Sequence, residues 1–300
     1  MNLIKPEKLK IGDTIGIIAP SGEVDFNKIL QSVEYFEQKG FKVKLGSHIK
    51  CNLSGYLAGS DEQRLEDLHN AFFDDEIKMI LCARGGYGAL RLVEKINYSI
   101  IKNHPKIFCG YSDVTVLNSV FYKKCGLVSF SAPMAQGDFS SEIDTFTEKH
   151  FFETLQTGRF SIKSNSPEKK FAPVEGVLFG GNLATLASLC GTDFIPDEKF
   201  ILFAEDIGEP AYKLDRYFTQ LFNIEKFREN ISAVVCGEFT GVDSLSDFDN
   251  FLSEIETKYN LPVVKGFPFG HGKTKATIPC GAFANLTSDG LFAENFLLDD

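Results

Sequence analysis

The sequence contains no tryptophan, and none of its seven cysteines stands at C-x-x-C spacing from another. Cys51, Cys82, Cys109, Cys125, Cys190, Cys236 and Cys280 are odd in number, and Cys82, Cys109 and Cys236 lie in apolar runs, where a thiol behaves as a small hydrophobe. This argues against a disulfide framework or a thiolate zinc site and for a reducing compartment. No run approaches eighteen apolar residues, which excludes a transmembrane helix. The run Ile15 to Ala19 is too short, and too far behind charged residues, for a secretory signal. Positive charge is scarce as well: 31 Lys and Arg face 41 Asp and Glu, a net charge of −10. Nucleic-acid binding needs clustered cations to displace counterions, and anionic lipid needs a basic amphipathic stretch. The expectation is a cytoplasmic protein with neither nucleic acid nor membrane as partner.

What is present is ordinary globular material. Hydrophobic residues make up 43% and charged residues 24%, which excludes disorder, collagen and coiled coil. At roughly 150 residues per domain, the 300 residues suggest two domains or one large one. Phenylalanine is abundant, with 29 copies, in keeping with core packing.

The first half alternates short apolar runs with helical patterns. Strands are predicted at 14–19, 41–45, 77–83, 106–109 and 127–130. Asp25 is placed to cap a helix with Phe26, Ile29, Leu30, Val33 and Phe36 inward, closed by Gly40. Ser60-Asp-Glu-Gln63 forms a capping box ahead of Leu65, Leu68 and Phe72. Residues 112–124 and 142–155 read as further helices. Strand alternating with helix implies a parallel sheet with helices on both faces, and ligands then bind at the carboxyl ends of the strands. Those loops are Pro20-Ser21-Gly22, Arg84-Gly-Gly-Tyr-Gly88 and Gly110-Tyr-Ser-Asp113. The polar stretch around Lys163 to Lys170 reads as an exposed linker. The second half has strands near 174–179, 200–205, 233–236 and 263–264 and a helix over 211–222. The expected architecture is α/β: a flavodoxin-like parallel-sheet domain over 1–158, a linker over 159–172 and a smaller α/β domain over 173–300.

Chemistry concentrates in four segments. In Lys106 to Thr115 an apolar strand ends, Gly110 permits a sharp turn, and a helix begins at or just after Ser112. A helix N-terminus favours developing negative charge, so the segment has the logic of a nucleophile elbow without its G-x-S-x-G spelling. From the local sequence alone, a plain N-cap is the commoner role for Ser112. Adjacent glycines at 85 and 86 let backbone N–H groups approach a substrate, as half of an oxyanion hole, a phosphate loop or a simple turn. Neither G-x-G-x-x-G nor a P-loop is spelled there. A serine nucleophile needs a base and an acid behind it. His48, His69, His104 and His150 read as solvated; His271, between glycines after an apolar strand, is placed as a base or as a turn residue. Glu205 and Asp206 end an apolar run, as an acid, a helix cap or solvated charge. No H-E-x-x-H occurs and no histidines pair at ligand spacing, so neither metal nor cofactor is expected.

In chain order, Ile15 to Ser21, Arg84 to Gly88, Gly110 to Thr115, Gly180-Gly-Asn-Leu183, Glu205-Asp206 with Tyr212 to Arg216, and Gly270-His-Gly272 together resemble the LD-carboxypeptidases, the muramoyl-tetrapeptide carboxypeptidase family of serine peptidases. The resemblance spans nearly the whole chain. It implies a triad of Ser112, Glu205 and His271, the serine from the first domain and the other two from the second. It further implies oxyanion donors in the backbone of Gly85, Gly86 and Asp113, a substrate carboxylate met by Arg84, a murein tetrapeptide substrate, a role in peptidoglycan recycling, and a homodimer. The related microcin C self-immunity hydrolases share the triad but cleave peptidyl or aminoacyl nucleotides over an aromatic platform, commonly Trp, which this chain lacks. A non-catalytic flavodoxin-like domain binding a small anion at Gly85, Gly86 and Ser112 is the alternative from another class.

Overall fold

The computed structural model describes residues 3–166 and 169–299. The first unit runs β1 (Thr14–Ile18), α1 (Phe26–Gln38), β2 (Lys42–Leu45), α2 (Asp61–Phe73), β3 (Ile77–Cys82), α3 (Tyr98–Asn103), β4 (Ile107–Cys109), α4 (Thr115–Cys125), β5 (Ser129–Ser131) and α5 (Thr145–Thr157). The second adds β6 (Arg159–Ile162), β7 (Val174–Asn182), α6 (Leu183–Ala187), β8 (Phe200–Ile207), α7 (Ala211–Phe222), α8 (Glu225–Asn230), β9 (Ile231–Thr240), α9 (Leu245–Tyr259), β10 (Val263–Val264), β11 (Ile278–Cys280), β12 (Phe283–Thr287) and β13 (Gly290–Glu294). The local signals act as the residues dictate. Asp25 accepts the Asn27 amide at 3.0 Å, and Ser60 and Gln63 close a reciprocal capping box on α2.

The first sheet has the order β2-β1-β3-β4-β5, all parallel, which is the flavodoxin-like arrangement. Every residue of β1 is buried, as expected of a strand covered on both faces. The order reverses between β1 and β3, so the crevice lies where the loops after those strands diverge. The second sheet, β10-β9-β8-β7-β12-β13-β6, mixes a parallel centre with antiparallel strands from the chain's end.

Two expectations are corrected. The linker predicted over 159–172 begins as β6, which pairs antiparallel with β13. Phe160 and Ile162 point into the core, a two-residue alternation too short to stand out in a polar context. Within the same stretch Pro167 and Glu168 lie outside the described residues. The segment expected to belong wholly to the second domain sends β11 back to the first sheet, antiparallel to β5. Hydrophobic packing likewise ignores the boundary: Val116, Leu117 and Val120 of α4 share one buried cluster with Val177, Leu183 and Leu186. Phenylalanine supplies much of this core. Phe36, Phe139 and Phe151 meet with centroid separations of 4.7, 5.0 and 6.5 Å, the tilted and edge-on geometries that aromatic quadrupoles prefer.

The junction between the sheets is polar at one point. The Asn182 amide donates to Thr115 Oγ1 at 3.0 Å, and Gly181, with φ 138°, leaves no room for more, since a Cβ there would stand 2.4 Å from the same oxygen. Gly181→Ala therefore combines backbone strain with a clash at the seam, and is expected to cost about 2–4 kcal/mol in urea-unfolding free energy. A midpoint shift corresponding to less than about 0.5 kcal/mol would show the seam to be soft.

Candidate active site

Three adjacent strands of the first sheet, β1, β3 and β4, deliver the loops that surround Ser112. After β4 the chain turns through Gly110 and Tyr111 into a single 3-10 turn, Ser112–Val114, which runs on into α4. Ser112 itself has φ 63°. A side chain in left-handed backbone costs of the order of 1–2 kcal/mol and persists only where the surroundings impose it. Here they do: the Asn118 amide of α4 holds the Gly110 carbonyl at 2.9 Å, and Asp113 Oδ2 accepts the Ala89 amide at 2.8 Å. Burial pushes the Asp113 carboxyl upward, opposed by that N–H and by the Arg64 cation. A Cβ placed on Gly85 would stand 2.9 Å from Ser112 Oγ and 3.3 Å from the Asp113 nitrogen, so the glycine loop lies directly against the serine. Gly85 in turn accepts the Gly22 amide at 3.1 Å across the crevice. Arg84, half-buried, donates to the Glu23 carbonyl at 3.1 Å.

The second sheet brings Glu205 and His271 together. Glu205 Oε2 and His271 Nδ1 are 2.7 Å apart, with the carboxylate side chain 4% exposed and the imidazole 16%. Glu205 sits where the β8–β9 ladder slips: Ala204 pairs with Cys236, but Asp206 pairs with Phe239. The extra residue lies on β9, between Cys236 and Phe239, and leaves Glu205 without a ladder partner on that strand. The loop carrying His271 follows β10 and is sewn to β9 by Phe267 N to Cys236 O at 3.2 Å and Glu238 N to Phe269 O at 2.8 Å. Tyr111 joins the two halves, its ring 5.0 Å from the imidazole, edge to face. Burial, then the Asp138 and Glu205 charges, push the Tyr111 phenol upward, so it stays neutral. A small cavity bounded by Tyr111, Ser131, Glu205, Phe269, Gly270 and Lys275 lies at this junction. Ser112 makes no hydrogen bond to His271 in this structure; Tyr111, its neighbour in sequence, is the residue that meets the imidazole.

Asp206, next in sequence, points the other way. It accepts Asn182 Nδ2 at 3.1 Å, the Ala184 amide at 2.8 Å and its own successor's amide, Ile207 N, at 2.8 Å. It thus organises the start of α6 and never meets the histidine. Burial pushes its carboxyl up to about 6 in spite of these donors. Of the remaining histidines, His150 was expected in solvent but is buried in the middle of α5, where its Nδ1 accepts the Thr277 amide at 3.1 Å. His69 accepts the Asn97 amide at 3.0 Å. Two participants escaped the sequence reading altogether. Tyr111 looked like part of a turn, and Lys275, whose ammonium meets Asp138 at 2.8 Å beside the Tyr111 ring, lies in a stretch without periodicity. Among the described residues no three His, Cys, Asp or Glu side chains are grouped as metal ligands.

The structure thus holds a serine in strained backbone at a strand-to-helix turn and, beside the adjoining Tyr111, a buried carboxylate–imidazole pair. Comparison with known proteins gives the family. The LD-carboxypeptidase N-terminal domain matches residues 15–132 and the LD-carboxypeptidase C-terminal domain residues 175–286. The chain is 37% identical over 293 residues to a probable murein peptide carboxypeptidase of Bacillus subtilis, covering 95% of this chain and 92% of that one. The solved muramoyltetrapeptide carboxypeptidase of Oxalobacter formigenes superposes with a TM-score of 0.86 at 33% identity, over 95% of this chain and all of that one. The microcin C7 self-immunity protein of Escherichia coli is 28% identical over 91% of this chain and 90% of its own length, and a wild-type structure of a protein of that name gives a TM-score of 0.88 at 25% identity, over 98% of this chain and all of that one. The chain belongs to the LD-carboxypeptidase family and is a serine carboxypeptidase.

Two outcomes follow, one from the backbone of Ser112 and one from the burial of Asp206. Ser112→Gly removes the cost of a left-handed side chain and should raise stability by about 1 kcal/mol, read as a higher denaturant midpoint; a loss would show that Ser112 holds the turn. For Asp206, the folded value near 6 exceeds the ordinary 3.8, so the group contributes stability below pH 4 that is lost as pH rises to about 6. The wild-type minus Asp206→Asn stability curve should fall by on the order of 3 kcal/mol across that window and be flat above it. A difference curve flat throughout would show an ordinary carboxylate.

Proposed function

We propose that this protein is a serine-type LD-carboxypeptidase that removes the terminal D-alanine from murein tetrapeptides in peptidoglycan recycling, acting as a cytoplasmic homodimer. Ser112 is the nucleophile, His271 the general base and Glu205 the residue that orients it. The observation that carries this reading is the 2.7 Å contact between the buried Glu205 carboxylate and His271 Nδ1. An acceptor at Nδ1 requires the proton there, which leaves Nε2 free to take one from a hydroxyl.

His271 Nε2 takes the Ser112 proton as Oγ attacks the carbonyl of the L-configured residue. The oxyanion forms against backbone N–H groups of Gly85, Gly86 and Asp113. His271 then protonates the departing amine of D-alanine, leaving an acyl-enzyme on Ser112. Water, deprotonated by the same imidazole, releases the shortened peptide and restores the serine. Arg84 supplies a cation for the terminal carboxylate, in keeping with the exopeptidase requirement for a free end. The names of relatives support the substrate: one is a murein tetrapeptide carboxypeptidase of Pseudomonas aeruginosa, 30% identical over 94% of this chain.

A second reading rests on the likeness to the microcin C7 self-immunity protein, solved in complex with aspartyl sulfamoyl adenosine, at 25% identity and a TM-score of 0.88. The absence of Trp weighs against an indole platform under a nucleobase here.

Incubation with a murein tetrapeptide, the corresponding pentapeptide, an all-L tetrapeptide and aspartyl sulfamoyl adenosine distinguishes them. Release of D-alanine from the tetrapeptide alone is expected, because a D-centre on the acyl side turns the carbonyl from the donors, and about 1 Å of misplacement costs on the order of 100-fold. Cleavage of the adenylate alone would establish the second reading. Glu205→Gln should lower kcat by about 10³–10⁴-fold through the wrong imidazole tautomer, whereas Asp206→Asn should change it by less than about tenfold. The opposite ranking would move the acid to Asp206.

A further inference from the structure

Arg64, on α2, is 1% exposed and has no place in the chemistry just described. Its Nη1 donates to the Pro20 carbonyl at 2.6 Å and to the Gly88 carbonyl at 2.9 Å, while Nη2 meets Asp61 Oδ1 at 2.6 Å. The two carbonyls belong to the loops that leave β1 and β3, the strands between which the sheet order reverses. The fit is close: a Cβ on Gly88 would stand 2.6 Å from Nη1. The half-exposed side chains of Arg91 and Lys95 also reach Asp61, at 2.7 and 2.9 Å, and the Arg91 backbone amide shares the Gly88 carbonyl at 3.2 Å.

We propose that Arg64 is a positioning residue: its guanidinium fork locks the Pro20–Gly22 and Arg84–Gly88 loops together and so fixes the backbone N–H groups that hold the oxyanion. The proposal rests on Ser112 being the nucleophile. The loop from 84 to 89 is fastened along its length: Arg84 Nη1 to the Glu23 carbonyl, Gly85 O by Gly22, Gly88 O by the Arg64 side chain and the Arg91 amide, and Ala89 N by Asp113. Between Gly85 and Gly88 lies Gly86, exposed and with φ 106°, whose amide has to be aimed by its neighbours. A buried ion pair is a poor device for stability alone, since its desolvation cost offsets its attraction. It is a good device for holding two carbonyls at a fixed separation, because a planar fork offers several donors in fixed geometry. Lysine offers a point charge in its place.

The test compares Arg64→Lys with Arg91→Gln, which perturbs the same Asp61 through a side chain and leaves the Arg91 backbone amide on the Gly88 carbonyl in place. Three readouts are taken on folded protein: kcat and KM on the tetrapeptide, labelling of Ser112 by a fluorophosphonate, and amide hydrogen exchange over residues 20–23 and 84–89. For Arg64→Lys, kcat and the labelling rate should fall 10- to 100-fold with KM within about twofold, and exchange in both loops should accelerate. Arg91→Gln should leave all three within about twofold of wild type. Should Arg64→Lys fail to fold, Arg64→Gln, which keeps a planar donor, takes its place. Unchanged loop exchange or unchanged kcat in the Arg64 variant overturns the proposal, as does an equal loss in Arg91→Gln. Wild-type protein that neither labels at Ser112 nor cleaves the peptide defeats the catalytic reading instead, and loop exchange then still decides whether Arg64 fixes the crevice.

Discussion

Everything at this site depends on how the first sheet is held against the second. The contact that sets it is small: the Asn182 amide on Thr115 Oγ1, with Gly181 allowing the approach. Thr115 opens α4, three residues after Ser112, and Asn182 ends β7, in register with Glu205 on β8. One hydrogen bond therefore ties the helix that carries the serine to the strand beside the carboxylate. The apolar contacts of α4 with β7 and α6 give this joint its stiffness, and β11, crossing back to β5, closes it from the other side. A crevice with walls from two sheets is a common location for ligands, and here the walls share one core.

Within that frame two neighbouring carboxylates divide the work by geometry. Consecutive strand residues face opposite ways. Glu205 meets the imidazole, and Asp206 collects three N–H donors at the start of α6. The slip in the β8–β9 ladder falls between the Ala204 and Asp206 pairs, with the extra residue on β9. Strand alternation directs the first carboxylate to the imidazole, while the second supports the corner from β7 into α6. Asp206 also cooperates with Asn182, whose own amide makes the interdomain bond, so the Glu205–Asp206 segment and the Ser112 segment are mechanically connected.

The crevice in the first sheet is constrained in a different way. Its loops are rich in glycine and make few side-chain contacts of their own, so their shape is imposed from beneath and beside them. Arg64 pulls two carbonyls down, Asp113 holds one amide, and Gly22 pairs with Gly85. Such loops combine close backbone approach to a ligand with low entropy of the bound state, because the ordering cost is met in the fold. The left-handed Ser112 belongs to the same economy, strain retained at one residue because its neighbours leave no alternative.

Much of this was determined by the sequence alone. Alternating strand and helix periodicity, the capping box at Ser60 and the Gly-rich loop ends define a parallel α/β sheet and its ligand-binding edge, since these signals act over a few residues. The segments around Ser112, Glu205 and His271 were legible as three of six motifs in order, whose family the comparisons bear out. Tertiary structure decided the rest. Whether Glu205 or its neighbour meets a histidine hangs on strand parity, which no local pattern reveals. The destination of β6 and β11 is set by partners more than 100 residues away in sequence. Tyr111, Lys275 and Arg64 carry no motif at all. Their importance lies in burial and in the groups they touch, and those exist only once the chain has closed around them.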